Sequence, residues 1–178
     1  MDRLIGKKAF VMKLTLIMAL TVDGKIGKDD RHFPDWTGPE DKKMFKEMTL
    51  RAGVVIMGSK TYDTIGKPLP GRKNVILTRN PRRISDREDL VFTDKHPGAI
   101  LRELAETGFR EAVLAGGARV NYLFAQHRLI DELVVTFAPR VFGSGLSLFA
   151  DSICMGLALE EVQQLGENLI LARYRVIK

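Results

Sequence analysis

The sequence predicts a single α/β domain with a mostly parallel central sheet and flanking helices. The length of 178 residues suits one domain. Several short segments are nearly continuous apolar runs, which are typical of strands buried on both faces. Helical stretches alternate with them, and that alternation is typical of parallel strands joined by crossover helices. The tail differs, because two strand-like segments meet at Gly166-Glu167-Asn168 and predict an antiparallel hairpin at the sheet edge.

The individual elements follow from local patterns. The run LTLIMAL gives the first strand, and the helix that begins at Pro39 places Met44, Phe45 and Met48 on one face. The domain is expected to span residues 13–178, after an N-terminal extension of residues 1–12. The predicted strands cover residues 14–20, 53–58, 74–78, 111–116 and 131–139, the helices cover residues 39–52, 59–66, 96–108 and 118–127, and the hairpin covers residues 157–178.

The charge balance indicates anionic partners. The chain has 28 Lys and Arg against 22 Asp and Glu, a net charge of +6. Such a balance favours nucleic acid, membrane surfaces or phosphorylated and carboxylated small molecules. Only 7% of the residues are aromatic, whereas a single-stranded nucleic-acid module stacks bases on aromatic side chains. We therefore expect a small-molecule partner and no nucleic acid.

Three further features of the sequence bear on membrane binding, on the cellular compartment and on metal sites. No apolar run approaches the ~20 residues that a membrane span needs, so no membrane partner is expected. The sequence has one cysteine, Cys154, which excludes a disulfide framework and fits a reducing cytoplasm. We expect this cysteine to be an inert, buried or half-buried thiol. The three histidines, His32, His96 and His127, have no metal-ligand spacing, and no metal site is expected.

Asp41 is the first candidate catalytic residue. Thr37 and Glu40 have the spacing of a capping box with Pro39 in the first turn, which gives Glu40 a structural role. Asp41 instead shares a helix face with the apolar residues three, four and seven positions further on. It is either a first-turn acid that complements the helix dipole or a functional carboxylate whose pKa is raised by burial.

Three strand ends have residues suited to bind anions. Gly58 is followed by Ser59-Lys60-Thr61, the next strand ends at Thr78 and Arg79, and a third is followed by Gly116-Gly117-Ala118-Arg119. Helix amino termini bind anions, and open α/β sheets bind ligands at the carboxyl ends of their strands. Together, the three strand ends suggest that the chain binds a dinucleotide with several phosphates. The G-x-G-x-x-G fingerprint of the common Rossmann site is absent.

The chain from about residue 13 resembles the dihydrofolate reductase family. The resemblance is carried by GSKTYDTIGKPLPGRKNVILTRNP (58–81), by ALTVDGKIG (19–27), and by the W-x-x-P-x-D spacing of Trp36, Pro39 and Asp41. AGGARV (115–120) is similar to the family's diglycine turn, and LVVTF (133–137) to the strand with its buried threonine. Lys42 departs from the family, which usually has a large apolar residue there, and the loop KDDRHFPD (28–35) is slightly longer than in common bacterial forms.

The resemblance implies an NADPH-dependent reductase that converts dihydrofolate to tetrahydrofolate. It implies three catalytic residues: Asp41 would hydrogen-bond the pterin, Thr136 would support it, and Trp36 would order the water that delivers a proton. Arg72 would bind the glutamate carboxylate of the substrate. The implied substrate-binding residues are Ile17, Ala19, Phe45, Ile65, Leu69 and Arg72. The implied NADPH-binding residues are Ala19, Ile26, Gly58, Ser59, Lys60, Thr61, Leu77, Thr78, Arg79, Ala115, Gly116, Gly117, Ala118, Arg119 and Val120.

A second resemblance leaves an alternative open. TGPEDKK, GGARVNYLF, LIDELVVTFAPRVFGSG and FADS are similar to the reductase domain of riboflavin biosynthesis, which reduces a phosphoribosylated aminouracil with NADPH. The bifunctional form of that enzyme carries a zinc deaminase, whose Cys/His signature this sequence lacks, so the alternative is a stand-alone reductase. The segment PRVFGSG (139–145) is a candidate contact of a homodimer, as in some relatives.

Overall fold

The computed structural model describes residues 12–178, which form one domain of ten β-strands and four α-helices. No helix among these residues is long and apolar enough to cross a membrane. A short 3-10 helix, Asp35–Thr37, precedes the first α-helix. The strands are β1 (Lys13–Thr21), β2 (Lys25–Gly27), β3 (Val54–Gly58), β4 (Lys73–Leu77), β5 (Leu90–Thr93), β6 (Glu111–Leu114), β7 (Glu132–Ala138), β8 (Leu146–Ser147), β9 (Gly156–Leu165) and β10 (Leu169–Ile177), and the helices are α1 (Pro39–Ala52), α2 (Ser59–Ile65), α3 (Pro97–Glu106) and α4 (Ala118–Gln126).

Eight strands form one sheet in the order β5-β4-β3-β6-β1-β7-β10-β9. The first six of these strands run parallel, and β10 and β9 are antiparallel. The predicted α/β class and C-terminal hairpin are thereby confirmed. Strands β2 and β8 form a separate antiparallel pair. The sequence analysis missed β2, β5 and β8 because they have only two to four residues and expose part of their side chains.

The sheet has a helical layer on each face. Leu14 and Leu16 of β1 point into a core with residues of α3 and α4, of which Phe124 is completely buried. Ile17, the residue after Leu16, points to the opposite face and packs with Met48 of α1. This alternation is the period-2 pattern of a strand buried on both faces. It directs the odd-numbered residues of β1 toward the face that carries α1 and α2.

Met12 and Cys154 both differ from what the sequence predicts. Met12 is only 7% exposed and packs in the core, one residue before the expected start of the domain; the rest of the expected extension, residues 1–11, lies outside the described residues. The prediction of a buried Cys154 is wrong, because its side chain is exposed. Its neighbours Ile153 and Met155 pack against the core, and the irregular backbone between them turns Cys154 outward.

Candidate active site

Asp41 lies in the first turn of α1, above the carboxyl ends of the central strands. The predicted capping box is wrong: helix α1 begins at Pro39, its N-cap is Gly38, and no side chain caps it. The backbone at Gly38 has φ +86°, a conformation suited to glycine, and this turn places Thr37 one residue too early to cap the helix. The Thr37 hydroxyl instead lies near the Asp41 carboxylate and the Pro34 carbonyl.

The Asp41 carboxylate is 8% exposed and has no ion-pair partner among the described residues. Burial raises its pKa above the ordinary value of 3.8, because a charged carboxylate loses its hydration. The hydroxyls of Thr37 and Thr136 and the charge of Lys42 oppose this effect, and burial outweighs them. The predicted burial of Asp41 is observed, and this burial favours a raised pKa, as the sequence analysis expected.

Two buried polar atoms of the expected catalytic residues lack a hydrogen-bond partner within residues 12–178. Thr136 lies in β7 opposite Ala19 of β1 and is completely buried. Its hydroxyl is close enough to the Asp41 carboxylate to lower the pKa of that group, but it forms no hydrogen bond of normal geometry within the described residues. The indole Nε1 of Trp36 is likewise buried without a partner, and the ring packs edge-to-face on Phe142 at 5.2 Å. Buried polar groups without partners cost about 1–3 kcal/mol each, so these atoms fit a bound ligand or water.

The expected substrate-binding residues form apolar walls beside Asp41. Ile17 and Phe45 pack in one cluster with Met48, and Phe45 also joins the cluster that contains Ile65 and Leu69. Phe45 therefore lies between the sheet and the segment that follows α2. Ala19 lies on the same face of β1 as Ile17 and is half-buried. The walls are apolar, and Asp41 supplies a charged carboxylate at one end of them.

Arg72 meets α1 at Thr49, eight residues further along the helix than Asp41. It is 6% exposed; its Nε donates to the Pro70 carbonyl at 3.1 Å and its Nη1 donates to the Thr49 hydroxyl. No carboxylate of the described residues pairs with it, and burial lowers the pKa of the guanidinium. A buried cation without a counter-ion is costly, and a planar guanidinium matches a carboxylate with two parallel hydrogen bonds. Its position therefore suits a carboxylate of a ligand.

Two glycine turns meet at the ends of adjacent strands. The Gly58 amide donates to the Gly116 carbonyl at 2.8 Å, and a Cβ built on Gly58 would lie 3.0 Å from the Val120 side chain. A Cβ on Gly117 would lie 3.4 Å from the Thr61 hydroxyl. A side chain at position 58 would press on Val120, and the φ of +87° at Gly116 is a conformation suited to glycine. The binding of dinucleotide phosphates at these turns stays a prediction.

The remaining expected cofactor residues differ in their exposure. Arg79 and Arg119 are exposed, and Lys60 is exposed but forms an ion pair with Asp30. The Thr78 hydroxyl accepts from the Asn80 amide at 3.2 Å. No group of three or more His, Cys, Asp or Glu side chains that could hold a metal occurs in residues 12–178. Half-buried positions are Ile26, Ser59, Leu77, Thr78 and Val120, whereas Ala115, Gly116 and Ala118 are buried.

Sequence reasoning missed four residues at the site. Thr37 contacts Asp41, Thr49 contacts Arg72, and Asp30 contacts Lys60. Asn121 is completely buried and donates to the Leu148 carbonyl at 2.8 Å. Its Oδ1 lies near Gly116 and has no partner in the part of the chain that the structure describes. Only Asn121 carried a local signal, a polar residue among the buried positions of an amphipathic helix. The other contacts join residues that lie far apart or follow an irregular turn.

Comparison with known proteins identifies the family. The family model described as "Dihydrofolate reductase" matches residues 13–144. The chain is 34% identical to the dihydrofolate reductase type 3 of Salmonella typhimurium over 145 residues, which cover 82% of this chain and 83% of that protein.

Solved structures share the fold. A dihydrofolate reductase from Enterococcus faecalis, complexed with NADP(H), superposes with a TM-score of 0.69 at 23% identity, covering 95% of this chain and 99% of that one. A deaminase/5-amino-6-(5-phosphoribosylamino)uracil reductase from Thermotoga maritima gives a TM-score of 0.78 at 19% identity, covering 93% of this chain and 57% of that one. The match to the family model and the 34% identity over most of both chains show that this chain belongs to the dihydrofolate reductase family.

Proposed function

We propose that this chain reduces dihydrofolate to tetrahydrofolate. Membership of the family makes it an NADPH-dependent oxidoreductase. NADPH supplies the hydride when it is bound. The substrate ring nitrogen must also gain a proton, and this second requirement falls on the protein. The groups of the chain that can meet it are Asp41, Thr136 and Trp36.

Asp41 is the proposed anchor of the pterin ring. Its carboxylate can accept two hydrogen bonds from the amide edge and the amino group of the ring. Its burial keeps bulk water from competing for these bonds, and its raised pKa brings its protonation closer to neutral pH. The Thr136 hydroxyl, which lies close to the carboxylate, supports it, and the Trp36 Nε1, which has no partner within residues 12–178, can hold a water for proton delivery.

The observation that carries the choice of substrate is the buried, unpaired Arg72. Its contact with Thr49 lies about two turns of α1 beyond Asp41, with the apolar Phe45 between them. A ligand that contacts both Asp41 and Arg72 therefore needs a flat polar ring, an apolar middle and an anionic group, such as a carboxylate, at the far end. Dihydrofolate has these three parts in this order. A ligand without an anionic group at that end would leave the guanidinium without a counter-ion.

The alternative substrate is the phosphoribosylated aminouracil of riboflavin biosynthesis. It is favoured by the fold similarity to the bifunctional reductase from Thermotoga maritima. That substrate has a ribose phosphate in place of the apolar middle and the carboxylate. A largely apolar wall formed by Phe45, Ile65 and Leu69 fits an aromatic ring better than a ribose phosphate.

The two substrates are separated by a steady-state assay of NADPH oxidation. The purified full chain is given dihydrofolate or the aminouracil phosphate at matched concentrations. We expect turnover with dihydrofolate and at least a hundredfold lower kcat/KM with the aminouracil phosphate. The opposite ranking would assign the chain to the alternative function.

The proposal also covers the setting of the enzyme. We place it in the cytoplasm, with small molecules as its partners and neither nucleic acid nor membrane. The homodimer through residues 139–145 stays a prediction: Val141 is exposed there, whereas Phe142 packs on Trp36. Analytical ultracentrifugation of the full chain and of Val141→Ser tests it, and a monomer in both cases would contradict it.

A further inference from the structure

The loop between β2 and the 3-10 helix, residues 28–34, extends between two separate parts of the domain. On one side, the His32 ring packs on Phe142 at 5.4 Å and the Lys28 ammonium lies 5.5 Å from the same ring. On the other side, Asp30 forms an ion pair with Lys60 near the start of α2. The loop therefore connects the segment before β8 with the helix that follows the Gly58 turn.

The tip of this loop is a defined turn. The Arg31 amide donates to the Asp29 side chain at 2.8 Å, and the Lys28 amide donates to His32 Nδ1 at 3.1 Å. These bonds leave the Asp30 carboxylate free to point away from the loop. They explain why Asp30, and not Asp29, reaches α2.

The Asp30 carboxylate lies within a group of cations. Besides Lys60, the charges of Arg31 and Arg119 act on it and help to lower its pKa. Lys60 and Arg119 follow Gly58 and Gly117, the two turns that fit the phosphates of a dinucleotide. An open cleft of about 450 Å³ lies beside this contact. The carboxylate thus occupies a position where an anionic group of the cofactor would meet the same two cations.

We propose that Asp30 competes with a phosphate of NADPH for Lys60. The Asp30–Lys60 ion pair holds the loop on α2 until the cofactor binds and displaces the carboxylate. The proposal rests on the use of NADPH and is independent of which substrate is reduced. The Asp30–Lys60 pair is exposed, with 63% of the lysine side chain and 43% of the aspartate side chain accessible. Exposed pairs are weak, so a phosphate, with more charge and more acceptor oxygens, can displace the carboxylate.

The pair Asp63–Arg83 provides a contrast on the same helix. Arg83 donates to both oxygens of Asp63, at 2.8 and 2.7 Å, and neither residue belongs to the loop. This bidentate pair satisfies its own charges and leaves the loop unaffected. Asp30 is therefore the acid that links occupancy of the lysine to the position of the loop.

The test is a titration of the full chain with NADPH, followed by the fluorescence of Trp36, the single tryptophan. Asp30→Asn removes the competing charge and keeps the size of the side chain. We expect it to bind NADPH about two- to fivefold more tightly at low salt, the range that an exposed ion pair supplies. The gain should shrink at high salt because the competition is screened.

Two further variants make the test specific. Asp35→Asn makes the same charge change at an exposed residue a few positions further on and should show no comparable gain. In a Lys60→Met background, Asp30→Asn should have no effect, because the shared cation is gone. Equal or weaker binding by Asp30→Asn, an equal gain in Asp35→Asn, or a gain that persists without Lys60 would overturn the proposal.

Hydrogen exchange gives a second readout. Amides of residues 28–33 should exchange faster in Asp30→Asn than in the wild type without NADPH, and NADPH should abolish most of that difference. An unchanged exchange rate in the variant would contradict a loop held by this contact. Neither experiment contains dihydrofolate, so a failure of the proposed substrate would leave both results interpretable.

Discussion

Replacing Asp41 by Asn separates the catalytic role of this residue from its effect on stability. The amide has nearly the shape of the carboxylate, but it carries no charge and cannot take up a proton near neutral pH. If Asp41 anchors the pterin and favours its protonation, the hydride-transfer rate should fall by about two to four orders of magnitude, the usual size of a general acid–base contribution. This loss equals about 2.7–5.4 kcal/mol of transition-state stabilisation.

The same variant should be more stable than the wild type at neutral pH. Burial raises the pKa of Asp41 in the folded protein, so the folded state holds the proton more tightly than the unfolded state does. The stabilisation from the protonated carboxyl is complete below the ordinary pKa of 3.8 and is lost as the pH rises through the folded pKa. A tenfold change in the acid dissociation constant between the two states corresponds to about 1.36 kcal/mol. The difference in unfolding free energy between Asp41→Asn and the wild type should therefore grow in favour of the variant as the pH rises from 3.8 through the pKa of the folded protein.

Single-turnover kinetics and urea unfolding between acidic and neutral pH measure the two effects. Glu40→Gln is the matched control, because it makes the same acid-to-amide change at the exposed neighbouring residue in the same helical turn. It should leave the rate and the pH dependence of stability close to those of the wild type. An Asp41→Asn variant with full activity at neutral pH would refute the mechanism. A variant with no relative gain in stability would refute the argument from burial.

Three further substitutions test other parts of the site. Arg72→Leu should raise the KM for dihydrofolate by about tenfold to a hundredfold, since bonds to a charged group contribute about 1.5–3 kcal/mol, while NADPH affinity measured by fluorescence stays unchanged; an unchanged KM would exclude Arg72 from carboxylate binding. Lys42→Met removes a charge that lowers the pKa of Asp41, so the corresponding limb of the pH–rate profile should move to higher pH, and a shift to lower pH would contradict this. Gly58→Ala should weaken NADPH binding, because the added Cβ would lie 3.0 Å from Val120, and wild-type affinity would show that the turn has room to spare.

The regular part of the fold was predictable from the sequence, and so was the position of Asp41. Continuous apolar runs predict buried parallel strands, and the apolar residues that follow Asp41 at helical spacing predict its burial. The structure adds what depends on irregular backbone. Thr37 has the sequence spacing of a helix cap, yet the positive φ of Gly38 turns it toward Asp41 instead.

Contacts between distant residues were beyond the sequence patterns. Asp30 and Lys60 are 30 positions apart, and each alone has the pattern of a solvated charge. Thr49 and Arg72 meet across 23 positions, and only the packing of α1 against the segment after α2 brings them together. Such pairs have no period along the chain, because they depend on how whole elements pack. The resemblance to a known family supplied a role for Arg72, but it supplied none for Asp30.

The transfer of the hydride to dihydrofolate is the central claim, and isotope labelling tests it directly. The purified full chain is mixed with NADPH that carries deuterium in place of both hydrogens at the reactive nicotinamide carbon. Dihydrofolate is added to one reaction and the aminouracil phosphate to a parallel one, and both products are analysed by mass spectrometry. We predict tetrahydrofolate with one deuterium for each NADPH oxidised, formed much more slowly by Asp41→Asn. Unlabelled or absent tetrahydrofolate, with deuterium found in the reduced product of the aminouracil phosphate instead, would contradict the account.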